Sequence, residues 1–128
     1  MSKRSLILSL FVICALLAVA CAHQRKQSLI YRVNAYHNCY KNKEFSRAST
    51  FVESPQEFLK STDAISNDLV ILDFEIVNCT FSADGREADV EVVRSYYLLP
   101  SVTVKENKFV QKWKFDSKRK DWFLVSPY

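Results

Sequence analysis

The spacing of apolar residues changes character three times along this chain. From Leu6 to Val19 they run almost without interruption, behind Lys3 and Arg4. After a polar stretch, Cys21 to Gln27, they return at helical intervals. Leu29, Val33, Tyr36 and Tyr40, with Ile30 and His37 beside them, predict an amphipathic helix over 28–42. Phe45, Ala48, Phe51 and Val52 keep that spacing beyond Lys41-Asn42-Lys43 and predict a second, short helix. Ser54-Pro55-Gln56-Glu57 then sets a cap residue, a proline at the first helical position and a glutamate three residues after the cap. That combination marks the start of a third helix, which Ser66-Asn67-Asp68 ends.

Past Asp68 the period becomes two. Val70, Leu72, Phe74 and Ile76 alternate with Ile71, Asp73, Glu75 and Val77, and Ser82-Ala83-Asp84-Gly85 supplies a turn holding the chain's only glycine. The return arm alternates Ala88, Val90, Val92, Arg94, Tyr96 and Leu98 with Asp89, Glu91, Val93, Ser95 and Tyr97, as far as Pro100. A third strand sets Phe109, Gln111, Trp113 and Phe115 against Val110, Lys112 and Lys114. After a charged turn, 116–121, Trp122 to Val125 form a fourth. Helices followed by strands predict the α+β class: one domain over 28–128, its helices covering one face of a curved, four-stranded antiparallel meander.

The opening run has the layout of an export signal, with a basic start and an apolar centre too short for a comfortable membrane span. It ends Leu17-Ala18-Val19-Ala20-Cys21, with small residues where a signal peptidase seats the chain, so residues 1–20 read as a signal peptide cut before Cys21. The stretch resembles the lipobox of bacterial lipoproteins, although Ala18 stands where Leu is usual. That resemblance implies lipid on Cys21 as the link to a membrane, each buried methylene adding about 0.8 kcal/mol, with residues 21–27 as a tether. Ala22, in place of an aspartate after the cysteine, implies the outer membrane, facing the periplasm. Ala20-Cys21-Ala22 also fits a small-x-small pattern, which leaves open a secreted, non-lipidated protein cut before His23.

Cutting before Cys21 leaves 108 of the 128 residues, enough for one core. They retain every aromatic residue except Phe11, which excludes disorder for most of their length. Cys14 leaves with the signal and Cys21 takes the lipid. Cys39 and Cys79 remain, either bridged in an oxidising compartment, worth about 4 kcal/mol, or buried as free thiols. The 108 residues hold 16 basic and 14 acidic side chains, a balance that argues against nucleic acid as a partner. The charges are nevertheless segregated, with ten acids against Lys60 and Arg86 over 53–91, and seven bases against three acids over 101–128. Asp73, Glu75, Asp89 and Glu91 share the outward parity of the hairpin, as Lys112 and Lys114 do on the third strand. Unlike charges facing each other across a strand pair contribute about 0.2–1 kcal/mol. The third strand is therefore expected beside the return arm, with Trp113 toward the helices.

The helical first half, the long strands and the ending Trp113-Lys114-Phe115, charged turn, Trp122-Phe123-Leu124 are similar to the NTF2-like, or cystatin-like, superfamily over about residues 28–128. That resemblance implies a fold whose members include isomerases and cyclases as well as binding and assembly domains, so it assigns no activity by itself.

With one glycine, in a turn, the chain has no phosphate-cradling loop, dinucleotide fingerprint or nucleophile elbow, and no cofactor is expected. His23 and His37 are not spaced as a metal pair, and His37-Asn38-Cys39 puts its two ligands on different sides of a helix, so no metal is expected either. His37 would serve as a base only beside a carboxylate, and none shares the inward parity. Otherwise it is a boundary residue packed beside Val33 and Tyr40. No catalytic residue is assigned. Arg94 and Gln111 do share that parity, with Tyr96 and Trp113. Either they line a pocket with Tyr36, His37 and Tyr40 for an acidic or amide-bearing ligand, or the Arg94 stem lies on core aromatics with its head at the rim.

Three functions fit these residues. One is a lipid-anchored binding or assembly domain that holds another envelope protein. The second is a small isomerase-like or cyclase-like enzyme with a hydrophobic pocket, and the third an anchored structural protein whose aromatics serve only packing. An exposed apolar patch favours the first, a deep cavity the second and a closed, patch-free body the third.

Overall fold

The computed structural model describes residues 3–128. Met1 and Ser2, which begin the expected signal, lie outside the described residues. The chain forms α1 (Lys3–Lys41), α2 (Phe45–Ala48), a 3₁₀ turn (Ser49–Phe51) and α3 (Pro55–Thr62). The strands come next: β1 (Leu69–Phe81), β2 (Glu87–Leu98), β3 (Lys105–Asp116) and β4 (Asp121–Ser126). They make one sheet in the order β1-β2-β3-β4, each neighbour antiparallel, so the α+β meander is as expected.

Residues 21–27 differ from expectation. The apolar run, the polar stretch and the amphipathic segment are a single helix of 39 residues, about 58 Å long at 1.5 Å per residue. Ala22, Gln24, Arg25, Lys26 and Gln27 are good helix formers, and no glycine or proline interrupts them, so the expected tether is a helical continuation. Residues 3–28 are exposed. From Leu29 onward one face is buried through Leu29, Val33, Tyr36, His37 and Tyr40. The helix closes where Lys43 takes a left-handed φ of 56°, with Glu44 N–H donating to the Cys39 carbonyl at 2.8 Å and Lys43 N–H to that of Tyr40 at 3.0 Å. Pro55 opens α3 as predicted, but the Ser54 side chain makes no capping bond. The Ser54 carbonyl instead accepts from Phe58 N–H at 3.0 Å.

β2 and β3 alternate regularly and bury Ala88, Val90, Val92, Gln111 and Trp113. β1 does not keep its alternation. Register shifts between Ile71 and Asp73 and between Ile76 and Asn78 leave Leu72 and Val77 without partners, as two bulges. Each extra residue reverses the parity of the strand beyond it, so the inward set is Leu69, Ile71, Phe74, Ile76, Cys79 and Phe81. The expected inward Leu72 is thereby corrected: Ile71 is 7% exposed and Leu72 39%. At the other edge Val52 bridges to Leu124, and Glu53 N–H donates to the Leu124 carbonyl at 2.8 Å, which covers part of β4's free edge.

The charge pairing holds. Asp89 faces Lys112 and Glu87 faces Lys114 across β2 and β3. Lys108 reaches Glu91 at 2.7 Å and Lys114 reaches Glu87 at 4.0 Å. Lys112 and Lys114 are exposed while Trp113 between them is wholly buried.

Candidate functional site

Beneath α1 the inward polar residues meet. The Gln111 carboxamide is fully engaged: its Oε1 lies 2.9 Å from His37 Nε2 and 3.4 Å from Trp113 Nε1, and its Nε2 donates to the Pro127 carbonyl at 3.0 Å. An indole N–H can only donate and a carbonyl can only accept, so Oε1 is the acceptor end and His37 Nε2 must carry a hydrogen. The other ring nitrogen, Nδ1, is then unprotonated and faces Arg94 Nη2 at 3.5 Å, where the guanidinium donates to it. The His37 ring also stacks on Phe74 with centroids 4.9 Å apart. Burial, and then the neighbouring Arg94 charge, push His37 down to about 3 despite the Gln111 bond. His37 is therefore a fixed, neutral donor.

The guanidinium of Arg94 lies 4.3 Å from the Tyr40 ring centroid and 4.9 Å from that of Phe109. No carboxylate stands within 4.0 Å of it among the described residues. Two aromatic faces and a ring nitrogen take the place of a counterion, and the side chain remains half-buried.

Six of the seven residues expected around a pocket, Tyr36, His37, Tyr40, Arg94, Gln111 and Trp113, do converge, but they fill the space instead of lining it. Tyr36, Gln111 and Trp113 have no exposed surface, and Tyr36 sits edge-on to both Trp113 and Phe58 with centroids 5.9 and 6.0 Å away. The pocket is corrected to a closed cluster because these rings occupy its volume. Tyr96 stands outside it. With Leu69, Ile71, Arg94 and Asn107 it lines a cleft of about 180 Å³ at the start of β1. The Tyr36 hydroxyl and the Trp122 Nε1 are buried without a hydrogen-bond partner among the described residues, and burial raises the Tyr36 phenol far above its usual range.

Of the two alternatives for Cys39 and Cys79, bridged or free, the structure has both thiols free. Cys79 feels Lys26, whereas Cys39 feels Arg47 and Glu44, and burial raises both thiols above the usual value. Lys26 and Cys39 are about 20 Å apart along the helix, far beyond the ~7 Å that a bridge spans between Cα atoms. The reason is direction: α1 runs opposite to β1, so its last turns lie beside the beginning of that strand.

Cys21 is exposed and lies in a groove with Ala22, Arg25, Phe81 and the Ser82–Gly85 turn. Arg25 Nη1 donates to the Asp84 carbonyl at 3.5 Å. Gly85 has φ 68°, and a Cβ there would come within 2.6 Å of that same Arg25 atom. The turn thus needs its glycine for backbone conformation, whereas the exposed Arg25 head can swing away from a Cβ.

At the opposite end of the sheet, the β2–β3 connection exposes Leu98 (47%), Leu99 (42%), Val102 (73%) and Val104 (56%). Strand alternation does not single out this surface. The one signal in the sequence is a set of apolar residues around Pro100 that belongs to neither a helical nor a strand period.

No protein-family model and no curated protein matches the chain. Among solved structures, the intermembrane space region of the chloroplast protein ARC6 aligns over 72% of this chain and 92% of that one, at 12% identity and a TM-score of 0.34. A protein of unknown function with a cystatin-like fold, from Nostoc punctiforme, aligns over 78% of this chain and 85% of that one, at 9% identity and a TM-score of 0.53. The fold of this chain is therefore an α+β fold of the cystatin-like kind.

Proposed function

We propose that this protein is an exported binding or assembly domain of the cell envelope. In this reading it is held to the outer membrane by lipid on Cys21 and presents the far end of its sheet to another envelope protein. The observation that carries the reading is the division of the molecule. Its interior is closed, whereas the end opposite the helix–turn contact at Arg25 exposes Leu98, Leu99, Val102 and Val104 beyond the cleft of Arg94, whose guanidinium has no carboxylate within 4.0 Å among the described residues. A partner segment with apolar side chains and a carboxylate suits that surface. Of the residues expected for a pocket enzyme, Arg94 and Tyr96 line a cleft of about 180 Å³, small against roughly 300–1,000 Å³ in ordinary ligand sites, and larger concavities beside α3 and at Cys21 contain none of those residues.

Purification of the anchored protein from membranes, with a photo-crosslinker at Val102, tests the contact surface. Val102→Asp is expected to weaken partner recovery by about thirtyfold, the size of a 2 kcal/mol hot spot, while Val110→Asp on the open sheet face leaves it unchanged. Equal recovery with both variants would refute this surface.

The anchor has its own test. Cys21→Ser is expected to abolish fatty-acid labelling and membrane attachment together. Attachment that survives without label would transfer the anchoring role to α1 itself, which contains an 18-residue stretch of mean hydropathy 2.8, long and apolar enough to cross a bilayer.

A further inference from the structure

We propose that the end of the domain nearest the anchor is a second membrane contact, a basic surface that settles on anionic lipid headgroups. The inference rests on the membrane-held reading above. In this meander the β1–β2 and β3–β4 turns share one end of the sheet, with the β2–β3 loop at the other. The first turn touches α1 at Arg25. The second is placed by strand rise. Trp113 meets Tyr36, and from there the chain to the 117–120 turn climbs about 13–15 Å, the length of nine or ten helical residues. With Asp121 at the end of the turn 3.5 Å from Arg32, that sets the turn beside the Lys26–Arg32 stretch of α1. The exposed apolar helix, residues 3–20, leaves the domain from this same end.

The charges at this end are sorted by engagement. Glu53 stands exposed beside Lys118, whereas the acids of the two turns are occupied within the fold. Asp84 accepts from the Ser82 hydroxyl at 2.6 Å and from Arg86 N–H at 3.0 Å. Asp116 accepts from Lys118 N–H, Arg119 N–H and Arg119 Nε at 2.8, 3.1 and 2.8 Å. Asp121 accepts from Trp122 N–H at 2.9 Å and faces Arg32 at 3.5 Å, and Glu87 is opposite Lys114. The bases Lys26, Arg86, Lys118 and Lys120 are exposed, with no carboxylate within 4.0 Å among the described residues. Asp116 holds the turn from inside, which leaves Lys118 and Lys120 at its surface.

Elsewhere the charges are mixed. Asp73, Glu75 and Glu106 lie toward the β2–β3 end of the sheet, where Lys105 and Lys108 stand among them, so that end carries no comparable set of free bases. Lys26 stands about 9 Å along the helix from residue 20, within the roughly 8–10 Å over which an anionic surface attracts a base at physiological salt.

Hydrogen exchange on the full chain in vesicles tests this surface. In vesicles rich in phosphatidylglycerol, amides of the 82–86 and 117–120 turns should exchange about tenfold more slowly than in phosphatidylcholine, as contact excludes water from them. The difference should vanish near about 0.5 M salt, where screening shortens to a few Å. Lys118→Glu with Lys120→Glu, two exposed turn positions, should sediment with either vesicle yet lose the protection. Wild-type protein that sediments with both vesicles and exchanges equally in both would overturn the inference alone. Protein that stays in solution would overturn the membrane-held reading and the inference with it.

Discussion

Replacing Gln111 by leucine is expected to destabilise the domain by about 3–5 kcal/mol, since each buried group left without a partner costs roughly 1–3 kcal/mol. Leucine fits the volume but orphans two buried donors, the His37 Nε2–H and the Trp113 Nε1–H, and removes the protein partner of the exposed Pro127 carbonyl. For a domain of about 100 residues this corresponds to a fall in Tm of about 15–30 °C. Gln111→Glu separates the roles. It keeps an acceptor for His37 and Trp113 but buries a carboxylate against the Pro127 carbonyl, so its cost comes from the charge and should grow as pH rises, and the new carboxylate should raise the His37 pKa. Urea titrations of both variants, followed by tryptophan fluorescence, measure these costs. A neutral Gln111→Leu variant would show that the amide is not what holds these groups.

The second large effect is the response to acid. His37 titrates near 3 in the folded protein, chiefly because it is buried and also because Arg94 is close, whereas unfolded histidine titrates near 6.5. The unfolded chain therefore takes up a proton that the folded chain refuses. Stability is complete above pH 6.5 and falls as the pH drops toward 3. At 1.36 kcal/mol per unit the whole loss is about 4–5 kcal/mol, of which nearly 3 kcal/mol is expected by about pH 4.5.

The carboxylates act in a lower window. The Ser82 hydroxyl and Arg86 N–H hold Asp84 below the usual range, and the N–H and guanidinium of Arg119 hold Asp116 there. Their stabilisation is lost only as pH falls below about 4. Urea midpoints between pH 4.5 and 7 thus report on His37, and His37→Gln should flatten that part of the curve. An equally steep wild-type and variant profile would locate the acid sensitivity elsewhere.

The sequence by itself determined what depends on near neighbours in the chain. Helical spacing from Leu29 to Tyr40, the Pro55 helix start, the Gly85 turn and the alternation of β2 and β3 are local, and the structure has each of them. The order β1-β2-β3-β4 came from the same kind of information, because the outward acids of the hairpin, Asp89 among them, favour the Lys112 and Lys114 strand beside β2 and the short turns permit little else. The inward direction of Arg94, Gln111 and Trp113 was legible for the same reason.

Only the tertiary structure decided what depends on residues far apart in the chain. Two bulges in β1 exchange Leu72 for Ile71 on the inner face, since the apolar pattern Val70-Ile71-Leu72 fits either parity and contact with the rest of the core selects one. The pocket closes because the ring of Tyr36 from α1 occupies the space between Trp113 and Phe58, a volume that no single segment encodes. Cys39 and Cys79 are kept apart by the opposed directions of α1 and β1, which spacing along the chain cannot convey. The gathering of the 82–86 and 117–120 turns at one end of the sheet and of the exposed apolar loop at the other arises because chain reversal brings distant segments together.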